Sequence, residues 1–248
     1  MKQNKYDDDV FFEKYSQMAR SQEGLAGAGE WPTLKGMLPE FQGKRVLDLG
    51  CGYGWHCMYA AEQGARAVVG VDISGKMIAQ ARKRAQGSAV LSVIDYRCES
   101  VEEIDFRADS FDVVLSSLTF HYIVSFRDIC ERVGKCLVSG GDFVFSVEHP
   151  VFTAEGSQQW CCDAQGMVSH WPVDHYFDEG VRRACFLGET VQKYHRTLTT
   201  YINDLLDCGF RVTGLAEPEP PQALLHTVPD MVNELRRPMM LIISARRI

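Results

Sequence analysis

An apolar run at residues 44–49 (KRVLDL) stops at Gly50, and glycines return at positions 52 and 54 before a short helical stretch near 55–63. No other segment constrains the fold as strongly. Glycine lets the backbone turn tightly and come close to a ligand, and the ligand then meets free amide groups at a helix start. The next apolar run, 67–71 (AVVGV), ends on Asp72. A carboxylate there can accept both hydrogen bonds of a ribose diol. Gly50, Gly52 and Gly54 together with Asp72 therefore point to a nucleoside-containing cofactor at the carboxyl end of parallel strands.

The same strand-then-helix order continues through the first 150 residues. Ser74 caps a helix carrying Met77, Ile78 and Ala81 on one face. A third strand is expected around 90–96 and a fourth at 111–116. Phe126, Ile129, Cys130, Val133, Cys136 and Leu137 recur at helical spacing up to Gly140 and Gly141, and a fifth strand follows at 142–147. This alternation predicts an α/β, doubly wound, mostly parallel sheet with helices on both faces. From 151 to about 188 the alternation breaks into aromatic and turn-forming residues. Helical pattern returns at 191–206, and two strands, 210–215 and 239–244, flank a Pro-rich loop at 217–230. Phe11, Tyr15 and Met18 mark an amphipathic helix near the start. The expected organisation is one domain over 1–248. It has an N-terminal helical cap (1–40), a cofactor-binding half (41–150), a lid insert after strand 5 (151–188), and a C-terminal helix with a strand pair (189–248).

Charge narrows the cofactor. A nicotinamide dinucleotide site has the spacing GxGxxG, and here the third glycine comes one position early. Asp48 lies two residues before Gly50, where its charge would repel a pyrophosphate. It suits a cation better. S-Adenosylmethionine carries a sulfonium and an ammonium and no phosphate, so it fits the motif.

VLDLGCGYG, VVGVDIS and FDVVLSSLTFHYI, in this order and spacing, resemble the class I S-adenosylmethionine-dependent methyltransferases. YDDDVFF, SVEHPVFTA, VQKYHRTLTTYI and RRPMMLIISA extend the resemblance to a group of bacterial and fungal small-molecule methyltransferases without a defined acceptor. The family implies a seven-stranded sheet whose last strand is antiparallel and inserted between the fifth and sixth. It also implies roles by position. Gly50, Cys51, Gly52 and Gly54 lie along the cofactor, Asp48 orients the loop and the ammonium side, Asp72 holds the ribose, and Ile73 covers the adenine. Glu99 or Ser100, with Val101, meets the adenine edge. Ser116 and Leu118 offer backbone groups to the methionine end.

For catalysis, His149, just past the fifth strand before Pro150, is the first candidate for a base, and His121 is the second. Glu148 is expected on the opposite side of the strand from His149, orienting a neighbour. Tyr122, Glu148, Trp160, Trp171 and Arg20 are candidate acceptor contacts, Arg20 as a carboxylate clamp. His195 reads as a helix-surface histidine. Cys161, Cys162, His170 and His175 match no zinc spacing, so no metal is expected.

The 248 residues carry a net charge of −7, which argues against a broad grip on nucleic acid. No apolar run is long enough to span a membrane, and nine scattered cysteines without CxxC pairs read as reduced thiols of a cytoplasmic protein. The expected activity is methyl transfer to a small-molecule acceptor, yielding S-adenosylhomocysteine. The alternatives are an adenosylmethionine-binding protein without transfer activity and a nicotinamide-dependent oxidoreductase. The oligomeric state is not legible.

Overall fold

The computed structural model describes residues 4–228 and 230–248. Residues 1–3 of the expected cap and Pro229 of the expected loop lie outside the described residues. The cap holds α1 (Asp9–Ser16), α2 (Ala19–Gln22) and α3 (Trp31–Met37). The alternating half follows as β1 (Arg45–Leu49), α4 (Trp55–Glu62), β2 (Ala67–Asp72), α5 (Gly75–Ala85), β3 (Ile94–Cys98), β4 (Phe111–Ser117), α6 (Phe126–Cys136) and β5 (Leu137–Glu148). The insert contains α7 (Pro150–Thr153) and the strands β6 (Cys161–Cys162), β7 (Val168–His170) and β8 (Gly180–Phe186). After β9 (Glu189–His195) come α8 (Leu198–Asp207), β10 (Phe210–Ala216), α9 (Gln222–Thr227) and β11 (Met240–Arg247).

Seven strands form one sheet in the order β10-β11-β5-β4-β1-β2-β3. β11 runs antiparallel to both neighbours, and the other pairings described for β1 to β5 are parallel. Strand order reverses between β1 and β4, which opens a crevice past their carboxyl ends. Alternate residues of the central strands feed two cores. Val46, Val68 and Val113 pack against Cys57 and Ala60 of α4 and Ile78 and Ala81 of α5. Leu47, Val114, Phe143 and Phe145 pack against Ile129 and Val133 of α6 and Tyr201 and Leu205 of α8. Burial on both faces is what a parallel sheet between two helical layers requires.

Several boundaries differ from the sequence expectation. β3 begins at Ile94 because residues Leu91–Val93 make a 3₁₀ turn. Gly140 and Gly141 do not end α6. They lie within β5, next to a register shift between β4 and β5. The largest difference is at 191–206, where the expected helix divides into strand β9 and helix α8. Val191, Lys193 and His195 point inward with period two, and α8 starts only after Thr197, whose hydroxyl accepts the Thr200 N–H. The insert is not irregular throughout, since β6 pairs with β7 and β8 pairs with β9. The Pro-rich loop contains the short helix α9. Phe11 of the cap packs with Ala184 and Val191 of the β8–β9 hairpin, so cap and insert meet.

Candidate active site

A cavity of about 920 Å³ lies just past the carboxyl ends of β1, β4 and β5. That is near the top of the roughly 300–1,000 Å³ range of ligand pockets. Cap, sheet and insert all line it.

The glycine loop supplies one wall. Gly50 and Gly52 line the cavity with φ of +76° and +51°, which is left-handed backbone that glycine adopts without strain. A Cβ on Gly50 would also collide with Thr119. Gly54 faces the Tyr96 hydroxyl instead, at the N-cap of α4. Asp72 closes the loop from β2. One carboxylate oxygen accepts the Gly52 N–H and the other the Ser74 N–H, each at 2.9 Å. Burial pushes its pKa from 3.8 up to about 6, against those two bonds. Each oxygen keeps a lone pair for a further donor. Ile73, Met77, Ser100, Val101 and Glu102 continue this wall, and Glu99 does not reach it. Ser100 is thus the member of the Glu99/Ser100 pair that faces the cavity.

Three predicted cofactor residues, Asp48, Ser116 and Cys51, lie behind the wall. Asp48 is fully buried under the loop, where Cys57 Sγ donates to it at 3.2 Å and its Oδ1 has no partner. Burial lifts this carboxyl to about 7. Ser116 ties β4 to β1 through a 2.6 Å bond from its hydroxyl to the Leu49 carbonyl. Ser117, Leu118 and Thr119 line the cavity in its place, with Leu118 held at φ +53° by bonds from its N–H to Ser146. A leucine in that backbone region stores strain. Cys51 is a buried thiol beside Gly70, pushed up to about 11 by burial.

The cap adds an ion pair that the sequence did not reveal. Arg20 binds Glu30, and both line the cavity next to Gly50 and Ser117. Glu30 is 2% exposed; its Oε1 accepts from Arg20 and from Ser117 Oγ, while its Oε2 is buried without a partner. A carboxylate with an unused oxygen beside a guanidinium matches the ammonium and carboxylate of an amino-acid group. Together with Asp72, this donor set fits S-adenosylmethionine. Asn4 and Asp7 clasp the same region from the cap. Asp7 accepts from Ser74 Oγ at 2.6 Å and from the Lys76 N–H at 3.2 Å.

The far wall is polar. Glu148 lines it, with one carboxylate oxygen accepting from Lys193 Nζ at 2.5 Å and the other from Gln158 Nε2 at 2.6 Å. Lys193 also donates to Gln158 Oε1 at 2.8 Å. His121 Nδ1 accepts the Glu148 N–H at 3.3 Å, and burial lowers this histidine to about 4. The ring is therefore neutral near pH 7, with its proton on Nε2. Tyr122 stands beside it, its hydroxyl 3.4 Å from that of Tyr6.

His149 is not on this wall. Strand alternation ends at Glu148, and Pro150 turns the chain so that His149 becomes the N-cap of α7. Its Nδ1 accepts the Val151 N–H at 3.0 Å, and its Nε2 lies 2.8 Å from a Glu217 oxygen. The expected sides are thus reversed, with Glu148 facing the cavity and His149 turned away. Trp160 and Trp171 are also outside. Trp171 stacks on Phe152 at 5.0 Å, and Arg237 lies over the rings of Phe152, Trp160 and Trp171, so the tryptophans hold the insert to the chain before β11. His195 is buried in β9, bonded to Thr153 and to the Tyr176 carbonyl. Lys193 and Gln158 escaped the sequence reading because their segment was assigned to helix or left unpatterned. Tyr6 and Glu30 carry no periodic signal at all.

Known proteins resemble the chain over most of its length. Residues 47–145 match the model of a methyltransferase domain. A solved structure from Mesorhizobium loti, an S-adenosylmethionine-dependent methyltransferase, is 42% identical, covers 90% of this chain and 100% of its own, and superposes with a TM-score of 0.82. One from Listeria monocytogenes, provisionally named as the same kind of enzyme, is 54% identical over 89% of this chain and 98% of its own, with a TM-score of 0.81. An uncharacterised Haemophilus influenzae protein is 34% identical over 98% of this chain and 96% of its own length. The chain spans about two fifths of a ubiquinone biosynthesis O-methyltransferase of Bradyrhizobium diazoefficiens, at 41% identity over 104 residues. No helix among the described residues is long and apolar enough to cross a membrane.

Proposed function

The chain belongs to the S-adenosylmethionine-dependent methyltransferases, and from that premise we propose that it methylates a small-molecule acceptor bound in the cavity described above. One observation carries this reading. The wall of Asp72 and the glycine loop and the polar wall of Glu148, Lys193 and His121 bound the same cavity, with Tyr6 and Tyr122 also lining it. A net charge of −7 supports a small acceptor rather than nucleic acid.

In this reading Asp72 takes the ribose hydroxyls, and Ile73 with Ser100 and Val101 takes the adenine. Gly50, Gly52 and the Leu118 backbone follow the methionine part. Arg20 and Glu30 take its carboxylate and ammonium. When bound, S-adenosylmethionine supplies a methyl group on a sulfonium that is already activated for in-line displacement. The protein then contributes position and exclusion of water. His121, neutral and protonated on Nε2, acts as a donor rather than a base. Tyr122 and Glu148 contact the acceptor.

Asp72→Ala removes the acceptor of two hydroxyl groups. A hydrogen bond to a charged group contributes roughly 1.5–3 kcal/mol, so affinity for S-adenosylhomocysteine should fall more than about tenfold. Calorimetry on the folded variant checks this, and unchanged affinity refutes the assignment of the ribose site.

The cap and the 151–188 insert act as the two halves of a lid. Phe11 joins them, and Asp7 latches the cap to the start of α5. Amide hydrogen exchange should slow in both segments on addition of S-adenosylhomocysteine. Equal exchange rates with and without ligand would remove the lid role.

A further inference from the structure

Among the described residues, six carboxylates line the cavity (Glu30, Asp72, Glu102, Glu148, Glu219 and Glu234), against three cationic side chains, Lys5, Arg20 and Lys193. Each of the three cations is ion-paired. Lys5 stands 3.9 Å from Glu189, Arg20 binds Glu30, and Lys193 binds Glu148 at 2.5 Å. A charge taken out of water is tolerated only when it is paired and hydrogen-bonded. Arg20 is taken by the cofactor's carboxylate in the reading above, and among the carboxylates Glu30, Glu148 and Glu234 are themselves paired, Glu234 with Arg237 at 2.7 Å. An anionic acceptor would thus find Lys5 and Lys193 as lining cations, each already paired with a carboxylate.

The polar wall is specific in a second way. Each Glu148 oxygen and the Gln158 Oε1 already receives one hydrogen bond from within the wall. Two of its donors have no such partner. Two of the three Lys193 N–H groups are engaged, and His121 carries its proton on Nε2, 4.0 Å from the nearer Glu148 oxygen. Such a wall receives a lone pair and demands no charge. We propose that the acceptor is an uncharged molecule that presents an oxygen or nitrogen lone pair to Lys193 and His121. The Glu148–Lys193 pair is then what excludes carboxylates and phosphates. This rests on the methyltransferase reading above and narrows its substrate class.

The test uses the full-length protein and methyl-labelled S-adenosylmethionine. A deproteinised bacterial extract is split at neutral pH over an anion and a cation exchanger before the reaction, so that acceptors rather than products are sorted. Labelled product should arise from the fraction retained by neither column. Product from the anion eluate or the cation eluate overturns the proposal and leaves the methyltransferase assignment standing. No labelled product from any fraction removes the small-molecule reading and this proposal with it.

A variant then probes the pair itself. Glu148→Gln keeps the shape and leaves the Lys193 charge without its carboxylate. In the folded variant, checked by its melting transition, the ratio of product from the anion eluate to product from the uncharged fraction should rise about tenfold or more. A ratio within twofold of wild type means that Lys193 does not read the acceptor, and the proposal fails.

Discussion

Replacing Lys193 with methionine should unfold much of this protein at temperatures where the wild type is intact. Lys193 is 2% exposed and Glu148 is held beside it at 2.5 Å, with a side chain 14% exposed. Burial alone would raise the Glu148 carboxyl, but His121, the Lys193 charge and the hydrogen bonds from Lys193 and Gln158 hold it below its ordinary range. Removing one member of a buried pair leaves the other uncompensated, at a cost of about 3–5 kcal/mol. For a chain of this size each kcal/mol moves the melting temperature by roughly 2–4 °C, so the loss is on the order of ten degrees. Replacing both members, Lys193→Met with Glu148→Leu, leaves no buried charge, and stability should return to near the wild-type value. Calorimetry on the three proteins decides the matter. A single variant that melts within two degrees of wild type would show that water reaches the pair and screens it.

That pair also marks the limit of what the sequence could reveal. The glycine loop, Asp72 and the parallel half were legible because local rules and global fold agree there. A buried parallel strand is continuously apolar, a tight turn takes glycine, and Asp72 ends the neighbouring strand at the cavity. The family resemblance supplied the antiparallel last strand between the fifth and sixth, where β11 lies. The polar wall was not legible for a physical reason. Tyr194, Leu198, Tyr201 and Ile202 share helical spacing, but Val191, Lys193 and His195 also share strand spacing, and only packing against the cap chooses between them. At the end of β5 the period-two rule was applied one residue too far. Pro150 turns the chain, so His149 caps a helix while Glu148 enters the cavity. The Arg20–Glu30 pair was not legible, since the two residues meet only through the folding of the cap.

The effect of Asp48→Asn on stability should become more favourable as pH rises. Asp48 lies under the glycine loop with a single thiol donor, one oxygen unpartnered, and the Asp72 charge nearby. Burial raises its pKa from 3.8 to about 7. The folded state therefore holds this proton in a range where the unfolded chain has released it. Each pH unit between the two values removes about 1.4 kcal/mol of stability as pH rises. This group's contribution is intact below about pH 4 and lost by about pH 7. An asparagine does not titrate, so the variant escapes that loss. Whatever its own packing cost, the stability of Asp48→Asn relative to wild type should improve by about 4 kcal/mol between pH 4 and pH 8. Denaturant titrations of the ligand-free proteins across that range measure it. The same substitution should weaken S-adenosylmethionine binding above pH 7, because a carboxylate beneath the loop is then replaced by a neutral amide near a cationic ligand. A stability difference that stays flat across pH would mean that Asp48 is ionised throughout, with a proton donor or cation beside it that offsets its burial. In that case its place under the loop is structural and carries no charge-based preference for the cofactor.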